Sequence, residues 1–336
     1  MNIAYIQSMK TTPSGSGGHV HVSQVAENFF KRGHSLYSNL LDETESFVKL
    51  SPIDFFKRRN EIDLFYLRVH GSGWNDGLTI FREANPSVPC VWEINAPIEE
   101  LRMKGTPEEE IALLNVRRKR FAQKMVNGAT CVSDEMAVYA RDALGILPTI
   151  VIPNGSDATL FSPEKKDDSL YPTGKFIVLW AGSPEYKWQG LDVVKKVARR
   201  MWKHDKNVLF SITAEGNPSD NILYLGKVPY SDMPKYIASA HVGLCVYEPI
   251  DFYSTFFFSP LKLYDYMASG IPIIGSEVGQ IRKVLKENRN GLLASSSIDD
   301  IVEKILILRK DSQLSKEMGR RGRQAVLDSY NWGQVA

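Results

Sequence analysis

Cysteine is scarce in this chain. Three occur in 336 residues, Cys90, Cys131 and Cys245, scattered and without a C-x-x-C pair. That excludes a disulfide framework and a cysteine zinc site. No apolar run approaches the length of a membrane-spanning helix. The first residues, MNIAYIQSMK, lack the basic start, long apolar stretch and small-residue cleavage site of a secretory leader. A cytoplasmic protein in a reducing compartment is therefore expected. Charge of one sign is lacking too: 41 basic and 39 acidic residues leave a formal net charge of +2. That argues against a general nucleic-acid binder. The slight basic excess falls after residue 170, where a phosphate ligand is expected. Internal repeats and low-complexity tracts are absent. No histidine, cysteine or acidic cluster has metal-ligand spacing, so neither a metal nor a cofactor is expected.

What is present is alternation. Ile3–Ile6, Leu64–Val69, Val88–Ile94 and Thr130–Val132 read as strands, and Val20–Arg32 and Pro107–Val126 as helices between them. The second helix is well marked: Thr106 and Glu109 have capping-box spacing, Pro107 fits the first position and Gly128 follows the end. Its Arg117–Arg120 run reads as a solvated face. Contact with a membrane surface or an acidic acceptor is the minority alternative. Pro163–Gly174 is polar and turn-rich, which suits an interdomain linker. Alternation then resumes, with strands at Phe176–Ala181, Val208–Thr213 and Val242–Val246 and helices at Leu191–Trp202, Asp232–Ala238, Gln280–Glu287 and Ile298–Leu308. Two such blocks mean two doubly wound parallel-sheet domains, expected at 1–168 and 169–325, with 326–336 returning to the first. Ligands of such sheets bind at the carboxyl ends of strands, and two facing domains would place them in a central cleft.

Residues 259 to 275, SPLKLYDYMASGIPIIG, carry the most chemistry. Ser259 suits an N-cap and Pro260 the first helical position. The amides of Leu261 and Lys262 then open an anion site, and Lys262 adds a full charge. Asp265 shares a face with Lys262 and could accept two hydrogen bonds from a vicinal diol such as a ribose. The helix stops at Gly270, and Ile271–Ile274 reads as a buried strand. Together these suggest a nucleotide-diphosphate site. The competing reading is an ordinary amphipathic helix with Leu261, Leu263, Tyr264 and Met267 in the core.

Weaker signals lie in the first block. The glycine-rich TTPSGSGGHV suits backbone approach to a phosphate. It is no dinucleotide fingerprint, because Gly15 and Gly17 are followed by Val20 where the third glycine should stand. His19 and His21 have no metal-ligand partner, and His19 is a minority candidate for substrate contact. Glu93 and Asn95 alternate at the end of a strand and suit sugar hydroxyls, with a turn cap as the alternative for Asn95. Arg68 and His70 end another strand, where Arg68 would pair with a buried acid or bind an acceptor anion. The VIPNGSDATLF turn at Val151–Phe161 reads as structural, shaping the end of the first domain.

Several of these segments, in this order, resemble the retaining glycosyltransferases of family 4. They are the loop at Gly17–Gly18, the IPNGSD turn with Phe161 and Pro163, the turn at Gly182, SPLKLYDYMASGIPII, Asn290–Leu293 and Tyr330–Trp332. VWEINAP is like a variant in part of that family. The resemblance covers almost the whole chain. It implies the GT-B fold of two facing Rossmann-like domains and metal-independent transfer from a nucleotide-diphosphate sugar, first among them a UDP-hexose such as UDP-glucose. The acceptor would be a hydroxyl of a glycan or lipid-linked glycan, as in polysaccharide biosynthesis, with a peripheral location at the inner face of the membrane as one option. By position, Ser259, Pro260, Leu261 and Lys262 would bind the diphosphate, Asp265 the ribose, and Gly17 and Gly18 the phosphates from the first domain. Lys227–Tyr230, with Val228 and Tyr230, would lie against the base. Gly182, Ser183 and Lys187 would line the donor, Glu93, Asn95 and Lys262 would serve catalysis, and His19 and Arg68 would face the acceptor.

Two departures stand out. The family commonly has two glutamates eight positions apart, which here fall on Phe257 and Asp265. It also carries an arginine and a lysine after the glycine turn, where this chain has Ser183 and Gln189. Diphosphate charge is then expected to rest on Lys262, helix amides and Lys187. An active transferase is the leading expectation, and a catalytically silent nucleotide-sugar-binding subunit of a partner transferase is the alternative. An epimerase would need acids and histidines for proton transfer, and no such set assembles.

Overall fold

A computed structural model describes residues 1–7, 17–38, 48–51, 54, 57–68, 85–248 and 255–336. The loop through residue 16, with Gly15, and His70 lie outside the described residues, as does the side chain of Lys187. The chain divides into two compact units. Unit 1 comprises Met1–Pro153, Phe257–Ser259 and Val335–Ala336, and unit 2 comprises Asn154–Phe256 and Pro260–Gln334. The first crossing comes earlier than 168/169, and of the segment 326–336 only the last two residues join unit 1.

Unit 1 is a parallel sheet with helices. Its elements are β1 (Asn2–Gln7), α1 (Gly17–Lys31), β2 (Ser35–Ser38), β3 (Val48–Lys49), β4 (Leu64–Arg68), β5 (Cys90–Ile94), α2 (Glu108–Met125), β6 (Gly128–Cys131), α3 (Asp134–Asp142) and β7 (Thr149–Val151). The strands run β3-β2-β1-β4-β5-β6-β7, all pairs parallel. Order reverses between β1 and β4, the point where such sheets bind ligands. Its core holds Ile6, Phe65, Leu67, Trp92, Ile94 and Cys131. β2 and β3 are too short for sequence periodicity to show. α1 begins at Gly17, so Gly17 and Gly18 form its first turn and do not belong to a preceding loop. In the arginine run, Arg118 is 1% exposed and its guanidinium lies 5.0 Å from the Trp92 ring centre. The solvated-face reading therefore holds for its neighbours and fails for Arg118. Burial lowers the Arg118 pKa, while Tyr139, Glu99 and Glu100 act in the opposite direction.

Unit 2 repeats the plan with β8 (Phe176–Trp180), α4 (Leu191–Met201), β9 (Val208–Ile212), β10 (Ile222–Tyr224), α5 (Met233–Ala238), β11 (Val242–Cys245), α6 (Leu261–Ala268), β12 (Ile273–Ser276), α7 (Gly279–Asn288), β13 (Gly291–Ala294), α8 (Ile298–Lys310) and α9 (Ser312–Ala325). Its sheet runs β10-β9-β8-β11-β12-β13, again parallel, and reverses between β8 and β11. β8, FIVLW, is buried along its whole length, as a strand covered on both faces must be. α4 sets Val194, Val197, Ala198 and Met201 against the sheet at helical spacing.

The expected linker at Pro163–Gly174 is part of unit 2. Pro163–Lys165 makes a short 3-10 turn, and the Tyr171 hydroxyl donates to Ser211 Oγ at 3.1 Å. Phe161 is fully buried in the unit 2 core. The IPNGSD turn thus spans the crossing: Ile152 and Pro153 close the first unit, and Asn154 begins the second. Among the described residues no helix is long and apolar enough to cross a membrane.

Candidate functional site

In unit 2 the carboxyl ends of β8 and β11 meet the start of α6. The helix begins one residue later than expected. Pro260 is its N-cap, with φ −70° and ψ 127°, and no side chain caps it, so Ser259 does not serve that role. Leu261 and Lys262 occupy the first two helical positions, whose amides have no carbonyl within the helix to bond. Leu263, Tyr264 and Met267 are in the core as expected, but Leu261 is only half-buried and Asp265, Tyr266 and Ala268 are buried too, so the helix is covered on all sides and is not an ordinary amphipathic one.

The Lys262 side chain runs inward. Its Nζ lies 4.8 Å from the Trp180 ring centre and 5.4 Å from that of Tyr247. It is buried with no hydrogen-bond partner among the described residues. Burial lowers its pKa to about 8, with Cys245 acting in the opposite direction. Gly182 is required by this arrangement: a Cβ there would stand 2.9 Å from Nζ and 2.7 Å from the Trp180 ring. The turn's amides are engaged internally. Gly182 N–H donates to Thr213 Oγ1 at 3.0 Å, and Ser183 N–H to Gln189 Oε1 at 3.0 Å. Gln189, standing where the resemblance expects a lysine, therefore pins the turn.

Asp265 makes separate contacts from Lys262. It is 5% exposed, and its Oδ1 accepts from Ser156 Oγ at 2.6 Å and Tyr230 at 3.5 Å. Burial raises its pKa to about 7 against the two hydroxyls, which lower it. Tyr230, expected against a base, packs edge-on to Phe161 at 5.2 Å, and Val228 joins the same apolar cluster.

In unit 1 Glu93 is a buried hub, not an open strand end. Its Oε1 pairs with His21 and Arg68 and accepts from Asn95 Nδ2 at 3.1 Å, and its Oε2 accepts from the Tyr5 hydroxyl at 3.0 Å. Burial alone would raise its pKa, but His21 and Arg68 more than reverse that and hold it well below the usual carboxylate range. Of the two roles open to Arg68, the structure shows pairing with a buried acid. Asn95 keeps its Oδ1 buried and without a hydrogen-bond partner among the described residues. A cavity of about 160 Å³ opens against His21, Tyr66, Glu93 and Thr130. His19 is half-buried on the first turn of α1. Phe257 sets its ring edge-on to Tyr139 at 6.0 Å, and its carbonyl accepts from the Ser133 hydroxyl at 2.8 Å. No group of three histidine, cysteine or acidic side chains gathers among the described residues to hold a metal.

Residues 191–336 match the model of the Glycosyl transferase-like family. The chain resembles the group 1 glycosyltransferases. It is 29% identical over 112 residues to the N-acetyl-alpha-D-glucosaminyl L-malate synthase of Bacillus anthracis, covering 33% of this chain and 27% of that protein. The chain thus matches about a quarter of that relative's length. Among solved structures, sucrose-phosphate synthase from Thermosynechococcus elongatus superposes with a TM-score of 0.75 at 15% identity, covering 100% of this chain and 96% of that one. Anabaena HepE in complex with UDP-glucose gives 0.69 at 13%, covering 99% and 96%. At these identities the likeness is one of fold: two Rossmann-like domains of the GT-B class.

Against that group 1 glycosyltransferase background, the sequence left several residues unseen. Trp180 and Tyr247 wall the lysine, Ser156 holds Asp265, and Gln189 ties the turn. Only the order of strands in space brings them together. The doubly wound pattern could have pointed to Tyr247, because it lies just past β11 at the switch point.

Proposed function

We propose that the protein transfers a sugar from a nucleoside-diphosphate sugar, a UDP-hexose such as UDP-glucose, to a hydroxyl of a glycan or lipid-linked acceptor. The observation that carries this reading is the buried Lys262 ammonium at the carboxyl ends of β8 and β11, which has no hydrogen-bond partner among the described residues. Desolvating a cation without a counter-charge is costly, and a bound diphosphate would offset that cost. Lys262 and the amides of Leu261 and Lys262 then take the charge that develops on the leaving diphosphate. The ribose lies towards Asp265, and the base towards Lys227–Tyr230.

The reaction retains the anomeric configuration. The acceptor hydroxyl attacks the face from which the diphosphate departs, and a leaving-phosphate oxygen takes its proton. At the position of the family's first glutamate stands Phe257, so no carboxylate nucleophile is supplied there. Asn95, whose buried Oδ1 has no hydrogen-bond partner among the described residues, orients a sugar hydroxyl, and Glu93 acts through Asn95 as a positioning residue. No metal takes part, so activity survives EDTA; restoration by manganese or magnesium after its loss would contradict this. The direct test is calorimetry with UDP. Lys262→Ala is expected to lose about 1.5–3 kcal/mol of binding while remaining folded. Unchanged affinity would remove the assignment.

A further inference from the structure

We propose that Tyr186 and Trp188 form a stacking platform for the sugar ring of the donor. The inference rests on the donor reading of the Lys262 site and adds the residues that hold its sugar. A row of aromatic rings leads away from the buried ammonium. Nζ lies 5.4 Å from the Tyr247 centre, Trp188 stacks on Tyr247 at 5.5 Å with planes 19° apart, and Tyr186 follows at 6.2 Å and 48°.

The inner rings are fixed. Tyr247 is buried, and the Trp188 carbonyl accepts the Glu248 amide at 3.1 Å. The outer ring is presented to solvent: Tyr186 is 39% exposed. It sits in a turn closed at both sides, Tyr186 N–H to the Ser183 carbonyl at 3.2 Å and Gln189 N–H to the Tyr186 carbonyl at 2.9 Å.

A hexose ring has a face of C–H bonds and a rim of hydroxyls. A tyrosine offers the matching pair, an apolar face and a polar tip. In a nucleoside-diphosphate sugar the hexose is bonded directly to the phosphate that Lys262 would meet, so it must fall close beside that ammonium. The two residues that depart from the family's cations, Ser183 and Gln189, bracket these rings in the sequence. The loop thus holds two rings between the positions where the resemblance implies cations, which would shift its contacts from the diphosphate to the sugar.

Calorimetry with UDP and UDP-glucose on wild type, Tyr186→Ala and Tyr186→Phe tests the platform, with thermal melts confirming the fold. Tyr186→Ala should weaken UDP-glucose on the order of tenfold, while UDP binding changes less than about twofold, and Tyr186→Phe, which keeps the ring and loses only the hydroxyl, should weaken UDP-glucose by less than Tyr186→Ala. Equal losses for the two ligands would place the ring against the nucleotide and overturn the proposal. No loss for either would overturn it as well. If the wild type binds neither ligand, the donor reading itself fails, and the platform with it.

Discussion

A buried ammonium between two aromatic faces, without a hydrogen-bond partner among the described residues, suits an anion. Its affinity for one must track its own protonation. With the Lys262 pKa lowered to about 8 by burial, the charged form dominates below that pH and the neutral form above it. UDP carries its full phosphate charge from about pH 7 upward. Its affinity is therefore expected to hold to about pH 8 and then fall by up to about tenfold per unit. Lys262→Met should bind weakly with no such fall, and a wild-type affinity flat to pH 10 would contradict the account. Asp265 behaves in the opposite sense. Its folded pKa stands near 7 against an ordinary 3.8. The stability contributed by its protonated form is complete below about pH 4 and is lost as pH rises through about 7. Asp265→Asn keeps an uncharged acceptor for Ser156. The wild-type melting temperature should thus drop relative to this variant between pH 4 and 7. Parallel melting curves would show that the buried acid has no such shift.

Elements decide what these residues can do. The carboxyl end of β5 places Glu93 between β4, which brings Arg68, and β6, while α1 brings His21 from above the sheet. Replacing Glu93 by alanine leaves the half-buried Arg68 guanidinium without its counter-charge and the buried His21 ring without its carboxylate partner. Denaturant unfolding should show a loss of about 3 kcal/mol or more, and a loss below about 1 kcal/mol would mean the hub is loosely held. The same contrast explains what was legible in the sequence. The start and stop of α6 were readable to within a residue, because proline and glycine act locally. The strand–helix alternation was readable because buried parallel strands are apolar throughout. The Glu93 hub was not, since strand alternation reports which side chains share a face and not which helix covers that face. The turn-rich composition of 163–174 suggested a linker, but Phe161 and Tyr171 anchor that stretch in unit 2. Arg118 was misread because a run of four basic residues says nothing of the one that faces Trp92.

At the scale of the whole molecule, the two parallel sheets each reverse once, and each reversal gathers polar side chains at strand ends. On the proposed reading, Lys262 is the buried lysine of the site and the other two cations implied by the resemblance are replaced by Ser183 and Gln189, so more of the donor's affinity would come from rings and helix amides. The departures at Phe257, Ser183 and Gln189 are what a silent binder would also show, and only chemistry separates the two. The most direct test follows UDP-glucose with the protein by proton NMR, water serving as acceptor. The account predicts slow release of UDP with α-glucose appearing before the β anomer, and a lower rate in Lys262→Ala. UDP-glucose that binds yet stays intact, or β-glucose appearing first, would contradict it.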